Sequence, residues 1–362
     1  MHMTRGPILF RCDGTPETGF ESFYQCLAFA AALQRRRRGT HFLSYLDPLS
    51  LAPVIHRGNN DWNPAESLMG GPGDLDQLVR ETRRLGAAAV VLAGNRVTPD
   101  YVERLNDLGV CTVVFHAGGA SSPMPAKLLV NPMLAPSRRS IRPLVGTQLL
   151  HGAKFSLVRG IFRRQRTIRA TEQPGPFRAL VAMGDDDAAD QTWQRLHELL
   201  DTPKVDKVSV AIRPHHERYD ELRELAASSK GRVDLALEPK ELMTRLVRAH
   251  FAVTTGDAWS LELACVGIPQ LVLPTAPHHM ANAKQLDAEG VATLVGPASS
   301  TTAEQLREAV AIVLDDPMER LGMTRCARNL VDGRGGDRIV NGLEILLHTP
   351  PRVQPGVLRI AA

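Results

Sequence analysis

A chain of 362 residues, 43% hydrophobic and 23% charged, carries enough apolar material for two ordinary domains, each with its own core. The formal net charge of +4, carried mostly on arginine, lacks the strongly basic signature of a nucleic-acid binder. No apolar run reaches bilayer-spanning length, so neither a nucleic-acid partner nor stable membrane insertion is expected.

Residues 7–12 predict a first strand and residues 20–36 a helix, with Phe23, Leu27, Ala30 and Leu33 on one stripe. The loop between them, from Asp13 to Gly19, falls at the carboxyl edge of a parallel sheet, where such folds bind ligands. The run Arg35-Arg36-Arg37-Arg38 reads as the solvated C-terminal end of that helix. An acidic partner or a membrane surface is the alternative. A strand over 41–46, a polar Gly-, Asn- and Pro-rich loop over 57–73 and a helix over 74–85 follow. A buried strand over 88–92, a helix over 99–108 and strands over 111–115 and 128–130 complete this half. A Pro- and Arg-containing stretch then leads to about residue 175.

The second half repeats the pattern, with strands over 178–183, 208–212, 233–237, 251–253 and 270–273. Helices are expected near 188–200, 217–227, 239–248, 259–266, 280–288, 302–314 and 337–346. Alternation of this kind predicts parallel α/β sheets with right-handed crossovers. The expected architecture is two doubly wound Rossmann-type domains facing across a cleft. The N-terminal domain takes residues 1–162, a linker 163–176, the C-terminal domain 177–348 and a loose tail 349–362. Five cysteines, Cys12, Cys26, Cys111, Cys265 and Cys326, have no paired or metal-type spacing, which fits a reducing, cytoplasmic setting.

The stretch from Thr254 to Pro269 carries the chemistry. A strand running into Thr255, Gly256 and a helix start aims backbone N–H groups and the helix's positive end at the crevice, which suits phosphate. Ser260 lies in the same turn, and Glu262, one turn into the helix, is placed to accept from ribose hydroxyls. An ordinary βαβ corner accounts for the same residues.

Four sets of residues occur together in this order: Arg11-x-Asp13 with Gly19 and Cys26-Leu27; Gly152-x-x-Phe155-x-Leu157-Val158-Arg159-x-x-Phe162; Gly184 with Asp187; and Leu330-Val331-Asp332-Gly333-x-Gly335-x-x-Arg338-Ile339-Val340. Together they resemble one family, the nucleotide-sugar hydrolase of the pseudaminic acid pathway and its spore-coat relatives, which have the GT-B fold. The first set is similar to the family's opening motif, the second to its inter-domain motif and the last to its closing signature, while Gly184 and Asp187 fall where it has Gly-Gly-Ser-Asp. A cruder similarity, to the lipid-linked N-acetylglucosaminyl transferase of peptidoglycan synthesis, covers the second domain, notably Asn282-Ala283.

The resemblance implies a nucleotide-sugar donor, a uridine diphosphate sugar foremost, held by the C-terminal domain through Gly184, Thr255, Gly256, Ser260 and Glu262. His278, His279 and Asn282 stand where relatives touch the donor sugar or its phosphates. The departures bear on the reaction. The family's hydrolytic histidine falls at Ser22, its Asp-His pair at Ala93-Gly94 and its Asp-Asp at His116-Ala117, leaving Asp13 alone of the acidic set. A serine without a partner base cannot take a proton from water near neutral pH. Asp185-Asp186-Asp187 and Asp257 bring carboxylates to a site expected to hold phosphate. Either they point away, a cation intervenes, or the ligand is less anionic.

Asp13, Glu17, Glu21 and His116 remain as candidate bases for an acceptor, with helix-end charge compensation as the competing role of the two glutamates. Arg11, Arg159 and Arg213 are candidate oxyanion partners. The adjacent pairs His215-His216 and His278-His279, without His-x-x-x-His or Cys-x-x-Cys spacing, give no metal site, and no cofactor is expected beyond the donor substrate. Three readings stay open: a glycosyltransferase with an unknown acceptor, a nucleotide-sugar hydrolase with a rebuilt site, and a non-catalytic nucleotide-sugar binder.

Overall fold

The computed structural model describes residues 6–115, 123–135, 141, 143–171, 173–184, 190–213, 216–237 and 239–348. Among these, β1 (Ile8–Cys12), β2 (Thr40–Ser44), β3 (Asp61–Pro64), β4 (Ala89–Ala93), β5 (Cys111–Phe115), β6 (Leu128–Asn131) and β7 (Gln148–His151) form one sheet. Its order is β3-β2-β1-β4-β5-β6-β7 and its pairings are parallel. A second parallel sheet contains β8 (Phe177–Ala182), β9 (Val205–Ala211), β10 (Val233–Ala236), β11 (Phe251–Thr254), β12 (Gln270–Val272) and β13 (Ala292–Leu294). Its order is β10-β9-β8-β11-β12-β13. In both sheets the strand order reverses beside the first strand, between β1 and β4 and between β8 and β11. Ligands of open α/β sheets bind outside the carboxyl ends of strands at such reversals.

Helices α1 (Glu21–Arg35), α2 (Ala52–Arg57), α3 (Asp74–Leu85) and α4 (Pro99–Asn106) belong to the first lobe. The chain continues through α5 (Gly160–Ile168), α6 (Gln191–Leu200), α7 (Tyr219–Ser228), α8 (Pro239–Arg248), α9 (Ala258–Val266), α10 (Pro277–Ala288), α11 (Ala303–Asp315), α12 (Pro317–Leu330) and α13 (Gly335–His348). The central strands are buried on both faces, as a parallel sheet covered by helices requires. Along β1, Ile8 and Phe10 pack under α1 while Leu9 faces the layer of α3 and α4. Phe10 stacks on Phe42 with ring centroids 4.7 Å apart.

Two features change the expected division of the chain. Residues 160–168, which overlap the start of the expected linker, form α5 against α8 and α9 of the second lobe. The closing helix α13 returns to the first lobe, where Ile339, Val340 and Leu343 enter the α1 core. The arginine run is what receives it. Arg35 pairs with Asp337 at 2.7 Å, Arg36 donates to Asn341 at 3.1 Å, and Arg38 grips Glu344 at 2.7 and 2.9 Å. Three of the four arginines therefore meet the last described helix. Gly335 permits the crossing, because a Cβ there would lie 2.2 Å from the Ser156 carbonyl oxygen.

Edge elements also differ from expectation. The loop expected over 57–73 contains β3, whose polar sequence and terminal Pro64 suit an edge strand. The half-buried β7 at the other edge and the short β13 lack a long apolar run. Helix α12 starts at Asp316-Pro317, where the Asp316 side chain accepts from Met318 N and Glu319 N. No described helix is long and apolar enough to cross a membrane.

Candidate functional site

The C-terminal switch point is built by the turn after β11. Gly256 has φ of 88°, and a Cβ there would lie 3.0 Å from the His279 carbonyl oxygen and 3.1 Å from the Ala283 Cβ. Only glycine lets α10 approach this closely. The Gly256 N–H donates to Ser260 Oγ at 3.0 Å, and Thr254 Oγ1 lies 3.1 Å from the same hydroxyl. Asn282, 1% exposed, donates to the Gly256 carbonyl at 2.6 Å and accepts from Leu134 N at 3.0 Å, tying the turn to the first lobe. Ser260 and Asn282 thus hold the turn's shape.

Asp257 caps α9, its Oδ1 accepting from Trp259 N at 3.0 Å. Its Oδ2 lies 3.2 Å from the position of a Cβ on Gly184, so the carboxylate fills the corner between β8 and β11. The positive end of α9 is therefore compensated from within the chain. Thr255 is fully buried and its hydroxyl has no hydrogen-bond partner among the described residues. Asp185, Asp186, Asp187 and His116 lie outside the described residues.

Glu262, 4% exposed, faces the inter-lobe segment. Its Oε1 accepts from Arg159 N at 2.8 Å and Nε at 2.9 Å, and its Oε2 accepts from Arg159 Nε at 2.9 Å and Nη2 at 2.5 Å. The Arg159 guanidinium lies 4.6 Å from the Trp259 ring centroid, 5.0 Å from Phe162 and 5.3 Å from Tyr24. The Arg213 guanidinium also stands over the Tyr24 ring, 4.2 Å from its centroid. These groups border a cavity of about 290 Å³ between the lobes. Tyr24, Leu27 and Ala31 of α1 wall one side; Ile212, Leu237, Leu242 and Trp259 wall the other. The volume is near the lower end of small-molecule sites, and the mixture of apolar walls with a few polar groups is characteristic of them. Trp259 is 6% exposed, and its buried indole N–H has no acceptor among the described residues.

The N-terminal switch point holds a separate, smaller hollow lined by Asp13, Thr18, Ser22, Ala93 and Gly94. Positions that the family resemblance aligned from three different segments thus meet in one place. Asp13, 5% exposed, is ion-paired with Arg11 and accepts from Tyr45 N at 3.0 Å and Met69 N at 2.7 Å. Arg11 Nε also donates to Asp74 at 2.7 Å, and the Tyr101 hydroxyl donates to the other Asp74 oxygen at 2.8 Å. Burial disfavours the Arg11 charge, but the two carboxylates outweigh it and hold its pKa above the ordinary value. Glu17 is exposed and ion-paired with Arg96.

Glu21 is placed differently. It begins α1 and accepts from Gln25 Nε2 at 3.1 Å, while His278 and His279 in the first turn of α10 reach it from the opposite lobe. Donor atoms of the three side chains lie within 4.8 Å of one another. Burial lowers the pKa of His278, and burial together with His278 lowers that of His279 to about 4. Both imidazoles are therefore neutral near pH 7. The sequence contained the histidine pair and the glutamate as separate candidates; only the tertiary fold brings them together. It also contained Arg159 and Arg213 as candidates but gave no sign of Trp259, which joins them only through the tertiary fold.

The chain matches no protein-family model. It is 22% identical over 235 residues to the spore coat polysaccharide biosynthesis protein SpsG of Bacillus subtilis (strain 168), covering 65% of this chain and 69% of the relative. The resemblance drawn from the motifs is thereby borne out. Among solved structures, MurG of Acinetobacter baumannii matches with a TM-score of 0.63 at 15% identity, over 94% of this chain and 99% of that one. The spinosyn rhamnosyltransferase SpnG complexed with thymidine diphosphate matches with a TM-score of 0.63 at 15% identity, over 93% and 100%. The UDP-GlcNAc 2-epimerase of Neisseria meningitidis bound to UDP-GlcNAc matches with a TM-score of 0.62 at 12% identity, over 93% and 99%. At these identities the likeness establishes the GT-B-like fold.

Proposed function

We propose that the chain is a glycosyltransferase-type enzyme that takes a nucleotide sugar, a uridine diphosphate sugar foremost, and passes the sugar to a small or glycan acceptor. The observation that carries this reading is the cavity between the lobes, with apolar walls that include Trp259 and Tyr24 and with the Arg213 guanidinium at its edge. A planar base and pentose suit its apolar walls, and the Arg213 guanidinium suits diphosphate. Nucleotides bound to SpnG and to the Neisseria epimerase, which share this fold, support the same ligand class.

The reaction type follows from the carboxylates. Asp13 is occupied by Arg11 and two backbone N–H groups, and Glu17 by Arg96. Glu21 stands at the mouth of the cleft opposite His278 and His279, where an acceptor hydroxyl would meet the donor. Ser22 and Gly94 in the neighbouring hollow supply no base for water, which favours transfer over hydrolysis. The test is incubation with a panel of uridine and thymidine diphosphate sugars, with and without candidate acceptors. Nucleotide release that requires an acceptor supports the proposal. Release into water identifies a hydrolase with a rebuilt site, and thermal stabilisation without turnover identifies a binding protein.

A further inference from the structure

We propose that Glu21, His278 and His279 form a divalent transition-metal site that bridges the two lobes at the mouth of the cleft. One carboxylate and two imidazoles are a donor set that zinc and similar borderline cations accept, with a fourth position left for water or substrate. The donor atoms lie within 4.8 Å of one another, against about 3.3 Å in a tetrahedral set with bonds near 2.0 Å. Modest side-chain rotation or closure of the lobes supplies the difference, since the glutamate and the histidines stand on opposite lobes.

Adjacent histidines on a helix ordinarily diverge, which argues against a shared ion from sequence alone. Here the two rings are only 4.2 Å apart between centroids, because both belong to the first turn of α10 at the rim of the cleft. Thr275 Oγ1 lies 3.0 Å from His279 Nδ1. When that nitrogen donates to the hydroxyl, the Nε2 lone pair is left for a metal, the usual outer-shell arrangement of a ligating histidine. His278 is exposed, which leaves the ion open on its cleft side. An oxygen bound there would be acidified, in a lobe whose neighbouring hollow holds Ser22. The site would also explain how carboxylates at this cleft coexist with an anionic ligand.

The experiment is titration of the chelator-stripped full chain with Co2+, read by visible absorption. The expected result is one Co2+ per chain with the intense d–d bands of a four-coordinate ion, displaced by an equivalent of Zn2+. His278→Gln and Glu21→Gln, both outside the core, should each weaken Co2+ binding by more than Thr275→Val, for which about 10- to 100-fold is expected of an outer-shell partner. His216→Gln, in the other histidine pair, should retain wild-type affinity. Absence of d–d bands in the wild type, or wild-type affinity in both His278→Gln and Glu21→Gln with far-UV circular dichroism unchanged, overturns the site. No nucleotide enters this measurement, so its failure leaves the donor reading untouched, and failure of nucleotides to bind leaves the metal site untouched.

Discussion

Both carboxylate oxygens of Glu262 are held by Arg159, through its backbone N–H and its guanidinium, and the guanidinium is in turn enclosed by Tyr24, Phe162 and Trp259. The pair joins the inter-lobe segment to the second turn of the crevice helix, so Glu262 is structural before any ligand arrives. Its side chain is 5% exposed and that of Arg159 16%. Glu262→Ala would leave a largely buried cation without its carboxylate, a loss of about 3 kcal/mol in urea denaturation. If the carboxylate also accepts from a ribose, uridine diphosphate affinity should fall by about tenfold or more in calorimetric titration, one hydrogen bond to a charged group being worth that much. A destabilised protein with unchanged affinity would confine Glu262 to its structural part.

Asp13 and Glu21 should separate stability from turnover. Asp13 holds Arg11 and two backbone N–H groups in the first lobe's interior, so Asp13→Asn should cost about 3 kcal/mol, while the folded fraction keeps most of its turnover. Glu21 is only half-buried, and Glu21→Gln should leave the denaturation midpoint in place while lowering turnover by about 100-fold or more. The reverse pattern would transfer the catalytic role to the first strand's end.

The alternating order of the two sheets was legible because central parallel strands such as 111–115 are continuous apolar runs between turn signals. The crevice turn was legible from Thr255, Gly256 and the helix start. Edge strands were not: residues 61–64 are polar and half-exposed, and their pairing with β2 is decided by the neighbouring strand. The docking of α13 was hidden for a different reason. An arginine run looks the same in sequence whether it meets water or Asp337, Asn341 and Glu344, three hundred residues away. Likewise the sequence left open whether Asp257 points toward a phosphate or away from it; its carboxylate turns back on the Trp259 backbone N–H, a conformation fixed by one backbone turn.

His41 should give the protein an acid-sensitive component. It is 7% exposed, Nε2 has no partner among the described residues, and burial pushes its pKa below the ordinary 6.5 despite Asp61. The unfolded chain therefore binds a proton more readily than the folded one. This contribution to stability is complete above pH 6.5 and is lost as pH falls below it. His41→Gln removes the titration without removing polarity. Its Tm should fall less than that of the wild type between about pH 7.5 and about pH 5.5, and parallel curves for the two proteins would refute the assignment.

Gly256→Ala tests the close approach of α10. The added methyl would meet a backbone oxygen at 3.0 Å in a left-handed conformation, for an expected cost of about 1–3 kcal/mol. Because that oxygen belongs to His279, relief of the clash should shift the first turn of α10, weakening Co2+ binding as well as folding. Retained stability would show that the turn rebuilds without moving the histidines.

Trp259→Phe distinguishes a ligand-binding wall from an ordinary core. The indole N–H is buried without an acceptor among the described residues, a condition that costs free energy, and the substitution removes it while keeping a ring beside Arg159. Lost ring area opposes that gain, so stability should change by no more than about 1 kcal/mol. The bound state should respond in the opposite direction, because a base stacked on this wall would lose ring area. Affinity for uridine diphosphate is then expected to fall by about tenfold, erasing most of the thermal shift seen at modest ligand excess. An ordinary core tryptophan would show the reverse: a clear loss of stability on truncation and no change in affinity.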